Sequence, residues 1–356
     1  MHLENGTIPE EYTKYTGRKL LLNLAGLLAL LVLVVFSISL GAVPIPPGQV
    51  FRALFAGDAP RQVQMIVLNI RLPQALAAVA AGAGLSVSGT AMQSILRNPL
   101  GSPFTLGISN AAAFGAAFAV MVMGGGAMQS TAAGAISVTD PYTTTAAAFT
   151  ACLAAAGVIL VVAGAARVSP EVMVLTGVAL GSLFSAGTMF LQYFADDVQL
   201  AAMVFWTFGD LARASWRELG VMSAVTMVSS AYFMLNSWSY NAMDAGDETA
   251  ASLGLPVSRK RLGGMLIASL TTATIISFVG VIGFVGLVGP HIVRRLIGDD
   301  HRYLIPGSML AGAILLLAAD TAARTVMSPQ VLPVAILTAF VGAPAFVFLL
   351  VRGYRR

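Results

Sequence analysis

The chain has 356 residues, of which 57% are hydrophobic and only 10% are charged. Soluble domains carry about 25% charged residues, so this composition excludes an ordinary soluble protein and predicts one that crosses a membrane several times. The formal net charge of +4 does not indicate nucleic-acid binding, because the basic residues lie in loops between apolar segments.

Ten apolar segments of about the length needed to cross a bilayer follow one another along the chain. A polar N-terminal tail, residues 1–19, precedes a single membrane domain at residues 20–356. The predicted spans lie at about 20–43, 72–95, 104–123, 143–165, 172–194, 218–236, 262–280, 280–296, 303–323 and 332–351. An amphipathic segment at 200–216 predicts an interfacial or partly buried helix with Trp206 and Trp216 at headgroup depth. The predicted fold class is all-α, a polytopic membrane protein.

The distribution of basic residues predicts the orientation of the chain. With the N-terminus inside and the spans alternating, 14 of the 20 Lys and Arg residues fall on the inner side. Cytoplasmic loops of membrane proteins carry such an excess. We therefore expect both termini in the cytoplasm, together with the loop at residues 239–261.

This loop, residues 239–261, is the longest polar stretch in the second half of the chain. Acidic residues open a short helical pattern at 248–253, and Gly254 and Pro256 end it. A helix of this kind is too short and too polar to cross a bilayer. It is either an ordinary loop helix or a cytoplasmic helix on which a soluble motor protein docks, and the residue types alone leave both open.

Motifs for chemistry are missing from the sequence. GAGLSVSGT, residues 82–90, lacks the Lys that a phosphate-binding loop needs and lies within a span, so it indicates close helix packing. His2, His291 and His301 lack metal-ligand spacing, and the lone Cys152 can form no disulfide within the chain. We expect no catalytic residue, no metal site and no cofactor in this chain, and hence not an enzyme.

Asp320 and Arg324 are the exception to the near absence of charge within the spans. They are four residues apart, so they share a helix face and can pair. Either they neutralise each other near a membrane surface, or Arg324 holds an acidic group of a partner or substrate at the outer mouth. The scarcity of other ionisable groups in the spans argues against an ion-coupled secondary carrier, which remains a distant alternative, as does a passive channel.

Five longer motifs resemble the iron-siderophore and vitamin B12 permease family (FecCD type) of bacterial ABC importers. They are RLPQALAAVAAGAGLSVSGTAMQSILRNPLGSPFTLGISNAAAFG, FWTFGDLARASW, ASLGLPVSRKR, GFVGLVGPHIVRRLIGDDHR and LPVAILTAFVGAPAFVFLL. The resemblance runs from about residue 20 to the C-terminus and implies a type II ABC importer permease of ten spans. It further implies pairing with a second copy as a homodimer, two ATP-binding cassette subunits inside, and a periplasmic or surface substrate-binding protein outside.

The resemblance also implies roles for single residues. The family's coupling helix, which contacts the ATPase, falls on Asp247, Glu248, Ala250, Leu253 and Gly254. Arginines that hold acidic residues of the binding protein are matched by Arg71 and Arg324, and Gln74 stands where members often carry a second arginine. ATP and Mg²⁺ would bind the partner ATPase and not this chain.

From these features we expect alternating access across the cytoplasmic (inner) membrane. The predicted pathway or gate lies on the fifth and eighth spans, because small residues leave room for a large metal chelate. Its residues are Gly177, Gly181, Gly283 and Gly286. The expected substrate is a ferric siderophore, with a corrinoid or heme as the alternative.

Overall fold

The computed structural model describes residues 10–41, 43–123, 141–165, 168–328 and 330–353, and the regular structure within these ranges is helical throughout. In chain order the α-helices are α1 (Glu10–Ser39), α2 (Pro47–Phe51), α3 (Arg61–Ile66), α4 (Leu72–Ile95), α5 (Ile108–Val122), α6 (Pro141–Ala165), α7 (Pro170–Phe194), α8 (Asp197–Thr207), α9 (Trp216–Leu235), α10 (Ser237–Asp244), α11 (Asp247–Ser252), α12 (Val257–Val279), α13 (Val285–Ile297), α14 (His301–Thr325) and α15 (Val334–Gly353). A π-helical turn joins α3 to α4 at Val67–Arg71.

Each of the ten predicted spans falls on a helix. Among the described residues, seven helical stretches are long and apolar enough to cross a membrane. They are Thr13–Ser39, Arg61–Ile95, Tyr142–Ala165, Pro170–Phe194, Trp216–Leu235, Val257–Val279 and His301–Thr325. The remaining three predicted spans correspond to α5, α13 and α15. The predicted all-α polytopic fold is confirmed, although α1 begins within the predicted tail, at Glu10.

Helix α4 lies at the centre, in contact with α9, α12, α13 and α14. In its most apolar stretch, 89% of the residues are buried. The corresponding share in α1 is only 17%, and several of its leucines are exposed. A Cβ atom added at Gly82 would lie 2.8 Å from the carbonyl carbon of Gly312, and one at Gly89 would lie 2.8 Å from the Cα of Gly286. Only glycine fits at these crossings, so the prediction that residues 82–90 pack closely is confirmed.

The segment at 200–216 does not form the single helix that the sequence predicts. Its first half belongs to α8, which begins with a capping box between Asp196 and Gln199, and its second half forms a 3₁₀ turn at Leu211–Arg213 and the first residue of α9. Trp206 on this helix is 5% exposed and packs inside the protein, which agrees with a partly buried helix. Trp216 is 49% exposed and donates its indole N–H to the Leu68 carbonyl at 3.1 Å.

Two polar regions at opposite ends of the long helices hold most of the predicted site residues. The α11 end contains the end of α4, the connection from α6 to α7, helices α10 and α11, and the starts of α12 and α14. The Arg71 end contains the end of α1, the start of α4 and the end of α14. The predicted topology assigns the α11 end to the cytoplasm.

Candidate functional site

The polar loop predicted to carry a docking helix contains α11, at Asp247–Ser252. Gly246 precedes it with φ +116° and Gly254 follows it with φ +81°, backbone conformations that favour glycine. Pro256 then caps the start of α12. The loop therefore contains the short helix that the sequence predicts, with ends set by glycine and proline.

The faces of α11 have different surroundings. Ala250 is fully buried in the core cluster that also contains Met243 and Met265, and so fixes the helix to the protein. Glu248 and Gly254 are exposed, and Leu253 is 72% exposed. Of the predicted coupling residues, Ala250 is thus an anchor with no surface to offer a partner, while these three face outward.

Arg261, in the first turn of α12, is the residue that organises this end, and sequence reasoning missed it. Its side chain is 3% exposed and forms an ion pair with Asp247 on α11. Nη2 donates to the two Asp247 carboxylate oxygens at 2.8 and 3.0 Å, Nε donates to the Ile95 carbonyl at 2.8 Å, and Nη1 donates to the Val168 carbonyl at 3.3 Å. In the sequence it resembles any basic residue at the end of a span.

A second buried network lies beside it, around His301. The ring is fully buried, with Nε2 at 3.0 Å from the Ser94 hydroxyl and Nδ1 at 2.9 Å from Asn241 Oδ1. Because Asn241 Oδ1 also accepts from the His301 backbone N–H, Nδ1 is best assigned as the protonated nitrogen. Both ring nitrogens are therefore occupied, and the described residues contain no group of three His, Cys, Asp or Glu side chains that could hold a metal ion.

Asp300 caps the start of α14 by accepting from the Arg302 backbone N–H at 3.1 Å. Its carboxylate also accepts from the Arg302 guanidinium and from Asn241. Partial burial acts to raise the pKa of Asp300, but these hydrogen bonds outweigh it and lower the pKa to about 2. The network thus holds α10 against the start of α14.

At the other end, Arg71 is 6% exposed and turned into the protein. Nη1 donates to the Ile38 carbonyl at 2.8 Å and to the Ser39 carbonyl at 3.2 Å, and Nη2 donates to the Val43 carbonyl. These acceptors lie at or just beyond the C-terminal end of α1. Arg71 therefore ties α1 to the start of α4, and its guanidinium is occupied within the chain.

Arg324 pairs with Asp320, as the sequence predicts, with Nε 3.0 Å from Oδ2. It also donates to the Ser37 hydroxyl at 2.8 Å, and Gln74 donates to the other Asp320 oxygen at 2.9 Å. Gln74 thus completes the coordination of the buried carboxylate. Docking of a binding protein at Arg71 and Arg324 stays a prediction. Both guanidinium groups already have partners within the chain.

Arg324 differs from Arg71 in facing a cavity. This cavity has a volume of about 350 Å³, and its lining includes Gln74, Asp320 and Arg324 together with Asp210 and Arg213. A further cavity of about 590 Å³ shares Asp210 and Arg213.

The four predicted gate glycines do not share one contact surface. Gly177 and Gly181 on α7 pack against the segment before α5, where Gly107 has φ +73° and an added Cβ would meet Gly181 Cα at 2.7 Å. Gly286 packs on α4, whereas Gly283 lies where an added Cβ would meet only the Phe104 ring, at 3.5 Å. Phe104 and Leu106 belong to the segment that contacts both pairs.

The space beside this segment is small within one subunit. A cavity of about 10 Å³ lies next to Phe104, Ser109 and Gly286, which is close to the minimum that admits one water molecule. A path for a large chelate would therefore need either movement of these helices or a wall from a second subunit.

Comparisons with known proteins show the family to which the chain belongs. The model of the FecCD transport family matches residues 29–352. A protein of Methanocaldococcus jannaschii, provisionally named the ABC transporter permease protein MJ0087, is 51% identical over 98% of this chain and 99% of its own length. The hemin transport system permease protein HmuU of Yersinia pestis is 36% identical over 92% of this chain and 94% of its own.

Other relatives carry different substrate names at similar identity. They include an Fe(3+)-citrate import permease of Bacillus subtilis, 34% identical over 95% of this chain, and a vitamin B12 import permease of Klebsiella pneumoniae, 35% identical over 92%. A solved structure described as an inward-facing, metal-chelate type ABC transporter has a TM-score of 0.80 and 28% identity, covering 93% of this chain and 98% of that one. The chain described here belongs to the FecCD transport family of ABC importer permeases.

Proposed function

We propose that this chain is the membrane-spanning subunit of an importer for a ferric siderophore, driven across the cytoplasmic membrane by separate ATPase subunits. The observation that carries the proposal is α11, a short helix fixed at its ends by glycines and anchored by buried Ala250. It presents Leu253, 72% exposed, at a polar end of the protein. Together with membership of the FecCD family, this supports α11 as the surface on which an ATPase docks.

The choice of a ferric chelate rests on the names of the relatives. Two of these relatives are named for iron compounds, hemin and Fe(3+)-citrate. The vitamin B12 permease has a similar sequence identity to this chain, 35% against 36% and 34%. A ferric siderophore is therefore the first candidate, and heme and corrinoids are the alternatives. The substrate-binding protein is expected to select among them.

The proposed mechanism is alternating access between two copies of this chain. A substrate-binding protein docks at the Arg71 end, where Arg324 faces a cavity of about 350 Å³. ATP closes the two ATPases at the α11 end, and the motion of α11 shifts the spans around the path between the copies.

Uptake in proteoliposomes tests this function. Vesicles containing the permease, its ATPase and its binding protein, with ATP inside, are offered ferric siderophore, hemin and cobalamin separately. ATP-dependent accumulation of the ferric siderophore is the expected result. Accumulation of hemin or cobalamin instead would keep the importer and replace its substrate, and uptake driven by a proton gradient without any ATPase would contradict the proposal.

A pair of variants tests the docking surface separately. Leu253→Asp places a charge on the exposed apolar position of α11, and we expect it to abolish co-purification of the ATPase. Ser258→Asp adds the same charge at another exposed position, just inside α12, and should leave co-purification largely unchanged. Equal binding by the wild-type protein and Leu253→Asp would exclude α11 as the docking site.

A further inference from the structure

The buried guanidinium of Arg261 joins four separate elements of the α11 end. It belongs to the first turn of α12, and its three nitrogens donate to α11 through Asp247, to the end of α4 through Ile95, and to the connection between α6 and α7 through Val168. With 3% of the side chain exposed, it can exchange few of these bonds with water. These contacts make it a joint between α11 and the membrane-spanning helices.

Two of the acceptors lie at places where the backbone needs support. Ile95 is the last residue of α4, and the carbonyls at a helix C-terminus have no partner within the helix, so a cation there is favourable. Val168 has φ +57°, a strained conformation for a β-branched residue that persists only where its surroundings hold it. Arg261 therefore stabilises two chain turns and α11 with one group.

We infer that Arg261 is a positioning residue that holds α11 in fixed register with α4 and the α6–α7 connection, so that displacement of α11 is passed to these helices. This inference rests on the proposed function, because it assumes that a partner moves α11. The exposed residues of α11 make the contact with the partner, and Arg261 transmits the displacement without touching it. Lysine cannot replace it, since one ammonium cannot span acceptors on three elements.

The joint can be tested in the permease alone, by hydrogen exchange of the peptide that covers residues 246–256. Asp247→Asn removes the charge on α11 and leaves the bonds from Arg261 to Ile95 and Val168 in place, so the fold should survive. We expect exchange in this peptide to become about tenfold faster, since hydrogen bonds to charged groups contribute on that order. Asp247→Glu, which keeps the charge, should restore slower exchange.

Arg259→Lys is the matched control for Arg261→Lys, because Arg259 is exposed near the start of the same helix and undergoes the same substitution. It should leave exchange of the 246–256 peptide unchanged. Arg261→Lys should accelerate exchange at α11 and at the end of α4 together. Wild-type exchange rates at α11 in both Asp247→Asn and Arg261→Lys would overturn the inference.

Coupling is then measured in the assembled transporter as ATP hydrolysed per substrate imported. In Arg261→Lys, whose buried side chain does not face the partner, we expect the ATPase still to bind and hydrolyse ATP while import falls about tenfold, which a merely structural defect in assembly would not produce. An unchanged ratio in a variant whose α11 exchanges faster would overturn the transmitting role. If the wild-type permease binds no ATPase at all, the proposed function fails, and the exchange experiment alone then decides whether Arg261 positions α11.

Discussion

Replacing Gly89 by alanine should separate two helices at the centre of the protein. The added Cβ would fall within hard contact of the Gly286 carbonyl oxygen and 2.8 Å from the Gly286 Cα, and both atoms are backbone that cannot rotate away. Helices α4 and α13 would have to move apart by on the order of 1 Å, and a gap of that size forfeits up to about half of the dispersion energy of the facing atoms. Overpacking of this kind costs about 1–3 kcal/mol, and we expect the upper part of that range.

The assay is the apparent unfolding temperature of the detergent-purified protein, read as the fraction that remains monodisperse after heating. Gly220→Ala is the matched control, because Gly220 lies in α9, is exposed, and an added Cβ meets nothing within 4 Å. Gly89→Ala should unfold several degrees below the wild type. If it unfolded at the same temperature as Gly220→Ala, the close approach of α4 and α13 would be refuted.

Three further predictions use the same structure. Gly283→Ala fits without strain, whereas Gly286→Ala displaces α4. We therefore expect Gly283→Ala to lose uptake while its unfolding temperature stays unchanged, and full uptake would remove Gly283 from the gate. Arg324→Gln should weaken binding-protein affinity at low salt more than at high salt, and equal affinity at both would exclude its docking role. The lowered pKa of Asp300, about 2, adds stability that is complete above its unfolded pKa near 4 and is lost as pH falls through 2. Between about pH 4 and 2, the stability of Asp300→Asn should therefore fall less than that of the wild type, as measured by acid unfolding.

The features that the sequence predicts well are those set by local composition. Spans follow from apolar length, and α11 follows from acids at its start and from Gly254 and Pro256 after its end. The pairing of Asp320 with Arg324 follows from a spacing of four residues on one helix. Each of these signals is complete within a few neighbouring residues, so no knowledge of the tertiary fold is needed to recognise it.

What the sequence does not predict depends on contacts far apart in the chain. The inward position of Ala250 could not be read from a helix of six residues, which is too short to display a hydrophobic face. Trp206 resembles an interfacial anchor by residue type, but the packing of α8 buries it. The acceptor of the Arg261 Nε lies 166 residues away and is a backbone carbonyl, which has no sequence signature.

The arginines at the two ends share one physical role. Arg71 donates to the Ile38 carbonyl at the end of α1, Arg324 donates to the Ser37 carbonyl near the same end at 3.4 Å, and Arg261 donates to the Ile95 carbonyl at the end of α4. Each supplies the cation and the donors that a helix C-terminus lacks. Each of these arginines therefore joins two helices within the chain.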